Sequence, residues 1–278
     1  MNNHRYAVPP GGVPDQRREI GTRANFTNSY ALIPASSQRD VVTSRLPNWN
    51  GTKLWVLARP MSGFSETFSH YVLEVESGGG SDVPETAFGV EAVLFVTAGR
   101  LEVSIDGLES ELIAGSYVYL SVDASWRLHN RQDEVAVFHW IRKRYEAIEG
   151  MGNPSSFVTS EMDVEPEPMP HADGRWTTRR FVDVEDCAHD MHVNLVELQP
   201  GAKIPFAEMH VMEHGLYVLE GQALYLLNQD WVEVNEGDYM WLRAFCPQAC
   251  IASGTGPFRY LLYKDVNRHA ALPGGLGR

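Results

Sequence analysis

The chain has 278 residues, 44% hydrophobic and 21% charged, so it can bury the core of one large or two ordinary domains of a soluble globular protein. A formal net charge of −13 makes nucleic acid and anionic membranes poor partners, and it favours a small molecule or a second copy of the chain in a homo-oligomer. No run approaches the roughly 20 apolar residues of a membrane span. The N-terminus lacks the apolar core of a signal peptide and the three cysteines are too few for a disulfide framework, so we expect a cytoplasmic protein.

Residues 1–50 are rich in Pro, Gly, Asn and Ser, which predicts an N-terminal arm lying across a neighbouring element or subunit. From Lys53 onwards, short runs of Val, Leu, Tyr, Phe and Trp alternate with turn residues about every ten positions, as is typical of an all-β sandwich or barrel. The sequence Ile-Asp-Gly at 105–107 predicts a tight turn between two strands. An acidic, proline-rich stretch predicts a linker over 151–175, and residues 270–278 form a tail.

The second half of the chain repeats the first. Three positions at a constant offset of 122 carry the same residue in both halves: Glu91 and Glu213, Gly99 and Gly221, Gly115 and Gly237. Upstream, VLEVESG and LVELQPG end on glycines at an offset of 123. The repeat predicts two similar domains, over 51–150 and 176–269.

Candidate metal ligands concentrate between the glycines at 201 and 221. Glu208, His210 and His214 follow at i, i+2 and i+6, so on an extended strand their side chains share one face. Two imidazoles and a carboxylate around one point suit a first-row divalent metal. The alternative is a strand that carries two incidental polar residues.

The order of these features resembles the two cupin motifs, and the duplicated form resembles a bicupin with two tandem antiparallel barrels. Glu208 stands where the usual first motif has its first histidine, and His210 matches the second histidine. Eleven residues after Gly237, where the second motif has its final ligand, stands Gln248. The resemblance therefore implies a metal set of Glu208, His210, His214 and Gln248.

The region from about 205 to 269 closely resembles the (S)-ureidoglycine aminohydrolases, and the resemblance extends over both cupin halves. These are manganese-dependent bicupins of purine (allantoin) breakdown, and a metal-bound glutamine at the second-motif position is unusual among cupins. The resemblance implies Mn2+ as cofactor and a small-molecule ureido substrate. It also implies hydrolytic release of ammonia from (S)-ureidoglycine to give (S)-ureidoglycolate.

The first half has none of these ligand types in the same register. Thr86, Phe88, Ala92 and Trp126 stand where the second half has its four candidate ligands. We expect Phe and Trp to fill the space of imidazole and amide. This predicts a metal-free N-terminal barrel that serves packing and assembly.

The last strand-like run, FRYLLYK, adds two candidates beside the metal. Its alternation places Tyr260 and Lys264 on one face, and a lysine inside an apolar barrel needs a charged partner. A substrate carboxylate would serve, and an ion pair with Asp or Glu at the barrel mouth is the alternative. We predict catalytic roles for Glu208 and Lys264, and substrate contacts from Tyr260, Lys264, Gln248 and Tyr225.

Two of the neighbouring residue types also have purely structural interpretations. Tyr225 is typical of a core tyrosine, although we keep it as a substrate-binding candidate. Cys246 and Cys250 flank Gln248, and we interpret both as small core residues rather than metal ligands.

Two other classes of function stay open. Two histidines and a carboxylate also suit an iron-dependent oxygenase, although a glutamine ligand would take a position that oxygen or substrate needs. A non-catalytic bicupin that senses a small molecule would be expected to carry a DNA-binding segment, and none is visible.

Overall fold

The computed structural model describes residues 23–35, 43–61 and 63–265, and every regular element in them is a β-strand, as predicted. The strands up to residue 144 are β1 (Asn25–Phe26), β2 (Tyr30–Ile33), β3 (Asn50–Ala58), β4 (Phe68–Ser81), β5 (Val90–Ala98), β6 (Arg100–Ile105), β7 (Leu108–Ile113), β8 (Ser116–Leu120), β9 (Trp126–His129) and β10 (Ala136–Arg144). Those that follow are β11 (Phe157–Ser160), β12 (Glu167–Pro168), β13 (Trp176–Arg180), β14 (Met191–Leu198), β15 (His214–Glu220), β16 (Gln222–Leu227), β17 (Asp230–Asn235), β18 (Tyr239–Leu242), β19 (Gln248–Ala252) and β20 (Phe258–Asp265).

All strand pairs are antiparallel, and the strands build two barrels. The first barrel is one nine-stranded sheet in the order β11-β8-β5-β10-β4-β9-β6-β7, with β3 paired to β4. The second places an eight-stranded sheet, β1-β2-β18-β15-β20-β14-β13-β12, against a three-stranded sheet, β17-β16-β19. In β16 the residues alternate, and Ala223, Tyr225 and Leu227 are buried between the two sheets because successive side chains point to opposite faces.

Strands β3–β10 of the first barrel correspond in order to β13–β20 of the second, as the internal repeat predicts. Gly99 and Gly221 both adopt positive φ, at 72° and 83°, between equivalent strands. A Cβ atom on Gly99 would stand 2.6 Å from the carbonyl oxygen of Val135, and one on Gly221 would overlap that of Pro257. Only glycine fits this turn in either barrel, which explains why the residue recurs at the constant offset.

The repeated glutamates occupy equivalent buried positions. The Tyr119 hydroxyl donates to Glu91 at 2.7 Å, and the Trp241 indole, 122 residues after that tyrosine, donates to Glu213 at 2.6 Å. Glu213 also accepts the backbone N–H groups of Glu66 and Thr67, at 2.8 and 3.0 Å. These bonds tie a loop of the first barrel to the second.

The tight turn predicted at 105–107 is confirmed. Asp106 and Gly107 have φ values of 51° and 85°, and they connect β6 to β7. Positive φ at both central residues is the type I′ geometry that matches the twist of a hairpin.

Of the predicted arm, residues 23–35 lie across the second barrel, whereas residues 43–50 belong to the first, where Ser44 bridges to Leu54 and Trp49 joins the core. β2 pairs with β18 along Tyr30–Ile33, and Arg23 bridges to Asp238 at 2.7 Å. The stretch predicted as a linker over 151–175 contains β11, which pairs with β8 of the first barrel, and β12. Residues 1–22 and 36–42 of the arm, and the tail over 270–278, lie outside the described residues.

The prediction that Phe and Trp fill the first barrel is wrong for Phe88. That side chain is 92% exposed, in the loop before β5, where its carbonyl accepts a hydrogen bond from Arg144. Trp126 does pack against the core, and its ring meets that of Trp140 edge-on at 5.8 Å. Trp49, just before β3, also contacts Trp140 of β10, at 5.7 Å, so aromatic rings from elsewhere in the chain fill the interior.

The barrels meet through a shared cluster of buried side chains from β4, β5, β8, β10, β14, β18 and β20. At its centre, His70 and His139 share a hydrogen bond of 2.9 Å between Nε2 and Nδ1. Burial lowers the pKa of His139 to about 3 and that of His70 well below its usual value. Across the described residues, no helix has the length and apolarity to span a membrane.

Candidate active site

The segment that carries Glu208 and His210 is not a regular strand, although the sequence predicts an extended strand there. β15 begins only at His214, and Glu208 forms an isolated bridge with Gln248. Alternation nevertheless holds before the strand, because Met209 and Val211 are 61% and 51% exposed while Glu208 and His210 face a cavity of the second barrel. The even-numbered residues therefore share a face, as predicted.

Two backbone hydrogen bonds fix Glu208 opposite Gln248. The Glu208 N–H donates to the Gln248 carbonyl at 2.8 Å, and the Gln248 N–H donates back at 2.9 Å. The Phe245 N–H donates to the His210 carbonyl at 2.6 Å and fixes the next part of the loop. The 208–210 segment and the start of β19 are thereby held together as one wall.

The histidines stand beside the carboxylate. His210 Nε2 is 3.5 Å from a Glu208 carboxylate oxygen, and the His210 and His214 rings lie 5.1 Å apart between centroids. The Met212 carbonyl, 2.9 Å from His214 Nδ1, can only accept, so that nitrogen carries the proton and Nε2 keeps a free lone pair. Burial, and then proximity to His210, lower the pKa of His214 to about 3, which keeps it neutral as a ligand must be.

The fourth candidate ligand is positioned by a tyrosine. The Tyr225 hydroxyl donates to Gln248 Oε1 at 3.2 Å, and this orients the amide. Tyr225 is fully buried and is not among the side chains that line the cavity. The geometry thus places it behind Gln248 rather than in direct reach of a substrate. Its ring faces that of Tyr260 edge-on at 6.3 Å, and Tyr260 does line the cavity.

Six of the predicted residues line one cavity of about 70 Å³: Glu208, His210, His214, Gln248, Tyr260 and Lys264. At about 10–15 Å³ per water, this is room for roughly five to seven waters, which suits a ligand of a few heavy atoms. Larger hollows, of about 570, 540, 480 and 410 Å³, lie elsewhere. None of these four brings two histidines and a carboxylate together, so chemistry rather than volume identifies the site.

Lys264 supplies a cation without a partner. No carboxylate in the described residues lies within the 4.0 Å of an ion pair from its ammonium, so the alternative of a structural ion pair at the barrel mouth finds no support. Burial, and then the nearby Arg180, lower the pKa of Lys264, and Glu208 acts in the opposite direction. An ammonium held here is available to an anionic ligand.

Sequence reasoning missed a polar strip on the neighbouring strands. Thr178 and Arg180 of β13, and Asn194 of β14, line the same cavity. The sequence does carry polar residues at alternate positions of WTTRR and MHVNLVEL. Which of the two alternating sets of side chains faces the cavity follows only from the register of β14 against β20.

The cysteines behave as the sequence predicted. Cys246 and Cys250 are buried in the core of the second barrel, and burial raises the pKa of both thiols. Neither is among the residues that line the cavity.

The donor set fits a divalent cation by its chemistry. Within the described chain, no three His, Cys, Asp and Glu side chains enclose a cation by themselves. The candidate set adds an amide oxygen from Gln248, which lines the same cavity and is paired through its backbone with Glu208. Neutral imidazole, carboxylate and amide oxygen are the ligands that suit Mn2+ and its first-row neighbours.

Two antiparallel barrels, with the donors in the second, define the chain as a bicupin, and a family model described as "Cupin domain" matches residues 194–263. The (S)-ureidoglycine aminohydrolase of Arabidopsis thaliana is 31% identical over 89% of this chain and 79% of its own length. That of Escherichia coli K12 is 28% identical over 88% and 91%. The chain belongs to the (S)-ureidoglycine aminohydrolase family.

A solved structure supports the same fold along nearly the whole chain. It is that of a Pseudomonas aeruginosa protein described as glyoxylate-induced, which is 53% identical to this chain. It superposes with a TM-score of 0.90 over 98% of this chain and 100% of its own.

Proposed function

We propose that the chain is a manganese-dependent hydrolase that releases ammonia from (S)-ureidoglycine and yields (S)-ureidoglycolate, a step of allantoin and purine breakdown. The observation that carries the proposal is that the four candidate ligands and the unpaired Lys264 line a single small cavity. Family membership supports the hydrolase activity.

Glu208, His210, His214 and Gln248 would hold the cation in this cavity. The cation would supply Lewis acidity and a template for the substrate. The hydrogen bond from Tyr225 and the paired backbone of Glu208 and Gln248 keep two of the four donors in place before substrate arrives.

The substrate carries a carboxylate, an amine and a ureido group on one carbon. Lys264 binds the carboxylate, and the Tyr260 hydroxyl lies on the same strand face to hydrogen-bond the same end of the molecule. Lys264 on β20 is the direct cross-strand partner of the metal donor His214 on β15, so the carboxylate end of the substrate is bound next to the metal donors. Fixing three substituents in this way accounts for selection of one enantiomer.

The reaction exchanges one bond at that carbon. The bond from the carbon to the amine nitrogen breaks, a bond to the oxygen of water forms, and one proton of that water ends on the amine nitrogen, which leaves as ammonia. Glu208 contributes its negative charge to the ligand set and so partly neutralises the positive charge of the site. Buried His214 stays neutral, so it does not compete with the substrate for protons at neutral pH.

The test is to incubate the protein with freshly generated (S)-ureidoglycine, with and without added Mn2+, and to follow ammonia and dissolved oxygen together. The proposal predicts enzyme-dependent ammonia release that rises with Mn2+ and consumes no oxygen. Oxygen uptake without ammonia would instead support an iron-dependent oxygenase, which two histidines and one carboxylate also suit. Binding without turnover would support a small-molecule-binding bicupin.

The proposal includes self-association as a homo-oligomer, which light scattering of the purified protein checks.

A further inference from the structure

The wall of the cavity formed by β13 and β14 carries polar groups that the proposed chemistry leaves unused. Arg180 on β13 and Asn194 on β14 are direct cross-strand partners, and Asn194 is in turn the partner of Leu262 on β20. Partners across antiparallel strands point to the same face with their Cβ atoms about 5 Å apart. Both side chains line the cavity, with Asn194 two strands and Arg180 three strands away from the strand that carries His214.

Asn194 is 1% exposed, and its Oδ1 accepts no hydrogen bond from any residue that the structure describes. A buried carbonyl oxygen without a donor is unfavourable and rare in native proteins. Such an oxygen is satisfied when a water or a ligand supplies the donor, and Asn194 lines the cavity in which a ligand would bind. A substrate carboxylate cannot do so at neutral pH, because it only accepts hydrogen bonds. A ligand N–H or O–H group in the cavity would supply the missing donor.

Arg180 supplies the complementary donor. Its guanidinium is held in place by Glu167, and its NH2 nitrogen lies 3.6 Å from Met169 Sδ, so the side chain is positioned before a ligand binds. Arg180 donates only and stays charged at any physiological pH. Arg180 and Asn194 therefore present a hydrogen-bond donor beside an acceptor, on directly paired residues of neighbouring strands.

We propose that Arg180 and Asn194 form the recognition site for the ureido group, with Asn194 as the specificity-determining residue. The guanidinium donates to the ureido carbonyl oxygen, and Asn194 Oδ1 accepts an N–H from the terminal ureido NH2. One edge of a ureido group offers an acceptor and a donor side by side, which matches this pair. The inference deepens the proposed function and rests on it for the identity of the ureido substrate.

Two stable ligands isolate this contact in the Mn2+-loaded protein. N-carbamoylglycine and N-acetylglycine share a carboxylate, an amide N–H and a carbonyl, and they differ only by a terminal NH2 in place of a methyl group. Competition or calorimetry on the wild type should show N-carbamoylglycine binding about tenfold more tightly or better, since the methyl compound leaves the Asn194 oxygen unpaired. Equal binding of the two ligands by the wild type would overturn the proposal.

Asn194→Leu removes the acceptor at similar volume, so the preference should disappear while the melting temperature holds or rises. Asn130→Leu is the matched control, because its amide in the first barrel donates to the Val75 and Glu134 carbonyls at 2.9 and 2.7 Å. That variant should melt earlier and keep the preference. Asn194→Asp retains the acceptor, so it should keep the preference and bind both anionic ligands more weakly.

Retention of the full preference in Asn194→Leu would overturn the assignment, and so would its loss in Asn194→Asp. Because neither ligand is turned over, the result is independent of the ammonia assay. Ammonia release without ureido preference in the wild type would contradict this inference alone. Ureido preference without ammonia release would contradict the proposed reaction alone.

Discussion

Replacing Lys264 by Met tests whether the unpaired cation of the cavity binds substrate. The ammonium lines the cavity without a carboxylate at ion-pair distance among the described residues, and burial lowers its pKa. A charge-assisted hydrogen bond to a substrate carboxylate contributes about 1.5–3 kcal/mol, so its loss should lower kcat/KM by about ten- to a hundredfold. Methionine keeps the length of the side chain and removes a buried charge, so folding and metal content should be unaffected.

The assay is steady-state ammonia release, with thermal melting and metal analysis of the same sample. Lys143→Met is the matched control, because the Lys143 ammonium is buried in an ion pair of 2.7 Å with Asp190 at the contact between barrels. Removing one partner of a buried pair costs about 3–5 kcal/mol, so this variant should melt well below wild type and keep its kinetics once folded. If Lys264→Met behaved like Lys143→Met, Lys264 would be structural and the reasoning refuted.

Three further outcomes are expected. His210→Ala and His214→Ala should each lose most of the bound metal in elemental analysis, because one of four donors is removed; wild-type metal content in both would contradict the ligand set. Glu208→His should keep a metal yet lose activity, since the charge of the site changes by about one unit, and full turnover would refute a chemical role for the carboxylate. Burial lowers the pKa of His70 and of His139, the latter to about 3. The contribution of these two histidines to the free energy of unfolding should therefore be fully present above pH 6.5, and each should lose about 1.4 kcal/mol per pH unit as the pH falls towards 3. In chemical denaturation, the pH dependence of His139→Phe should have a slope reduced by one such contribution.

Local patterns were enough to predict the architecture. Alternating apolar residues indicated strands, and glycines at a constant offset indicated two copies of one plan. The structure shows why that offset persists, since the turns at Gly99 and Gly221 exclude any Cβ atom. The hairpin at Asp106 and Gly107 was likewise readable, because its backbone geometry depends on two neighbouring residues.

The candidate site was predicted in part. The even spacing of Glu208 and His210 predicted that their side chains share a face. They do so even though they lie in a loop, since the inward and outward alternation extends beyond the regular strand. Tyr260 and Lys264 followed from the alternation of β20. Gln248, by contrast, came from the resemblance, and its pairing with Glu208 is a long-range contact that composition and spacing do not reveal.

What the sequence did not reveal depends on tertiary register. Arg180 and Asn194 face the cavity because β14 lies between β13 and β20, and a shift of one residue would turn them to the other face. Phe88 was misplaced because alignment to the second half cannot show that its loop leaves the barrel. The pairing of β2 with β18 likewise joins residues about 200 positions apart, beyond the reach of local signals.

The most direct test of the central claim is a titration of metal-free protein with Mn2+, in which the initial rate of ammonia release from (S)-ureidoglycine is measured at each addition. One catalytic site in the second barrel predicts negligible activity without metal, a rise in proportion to added Mn2+, and a plateau at one equivalent per chain. Full activity in the metal-free protein, or a plateau at two equivalents, would contradict it.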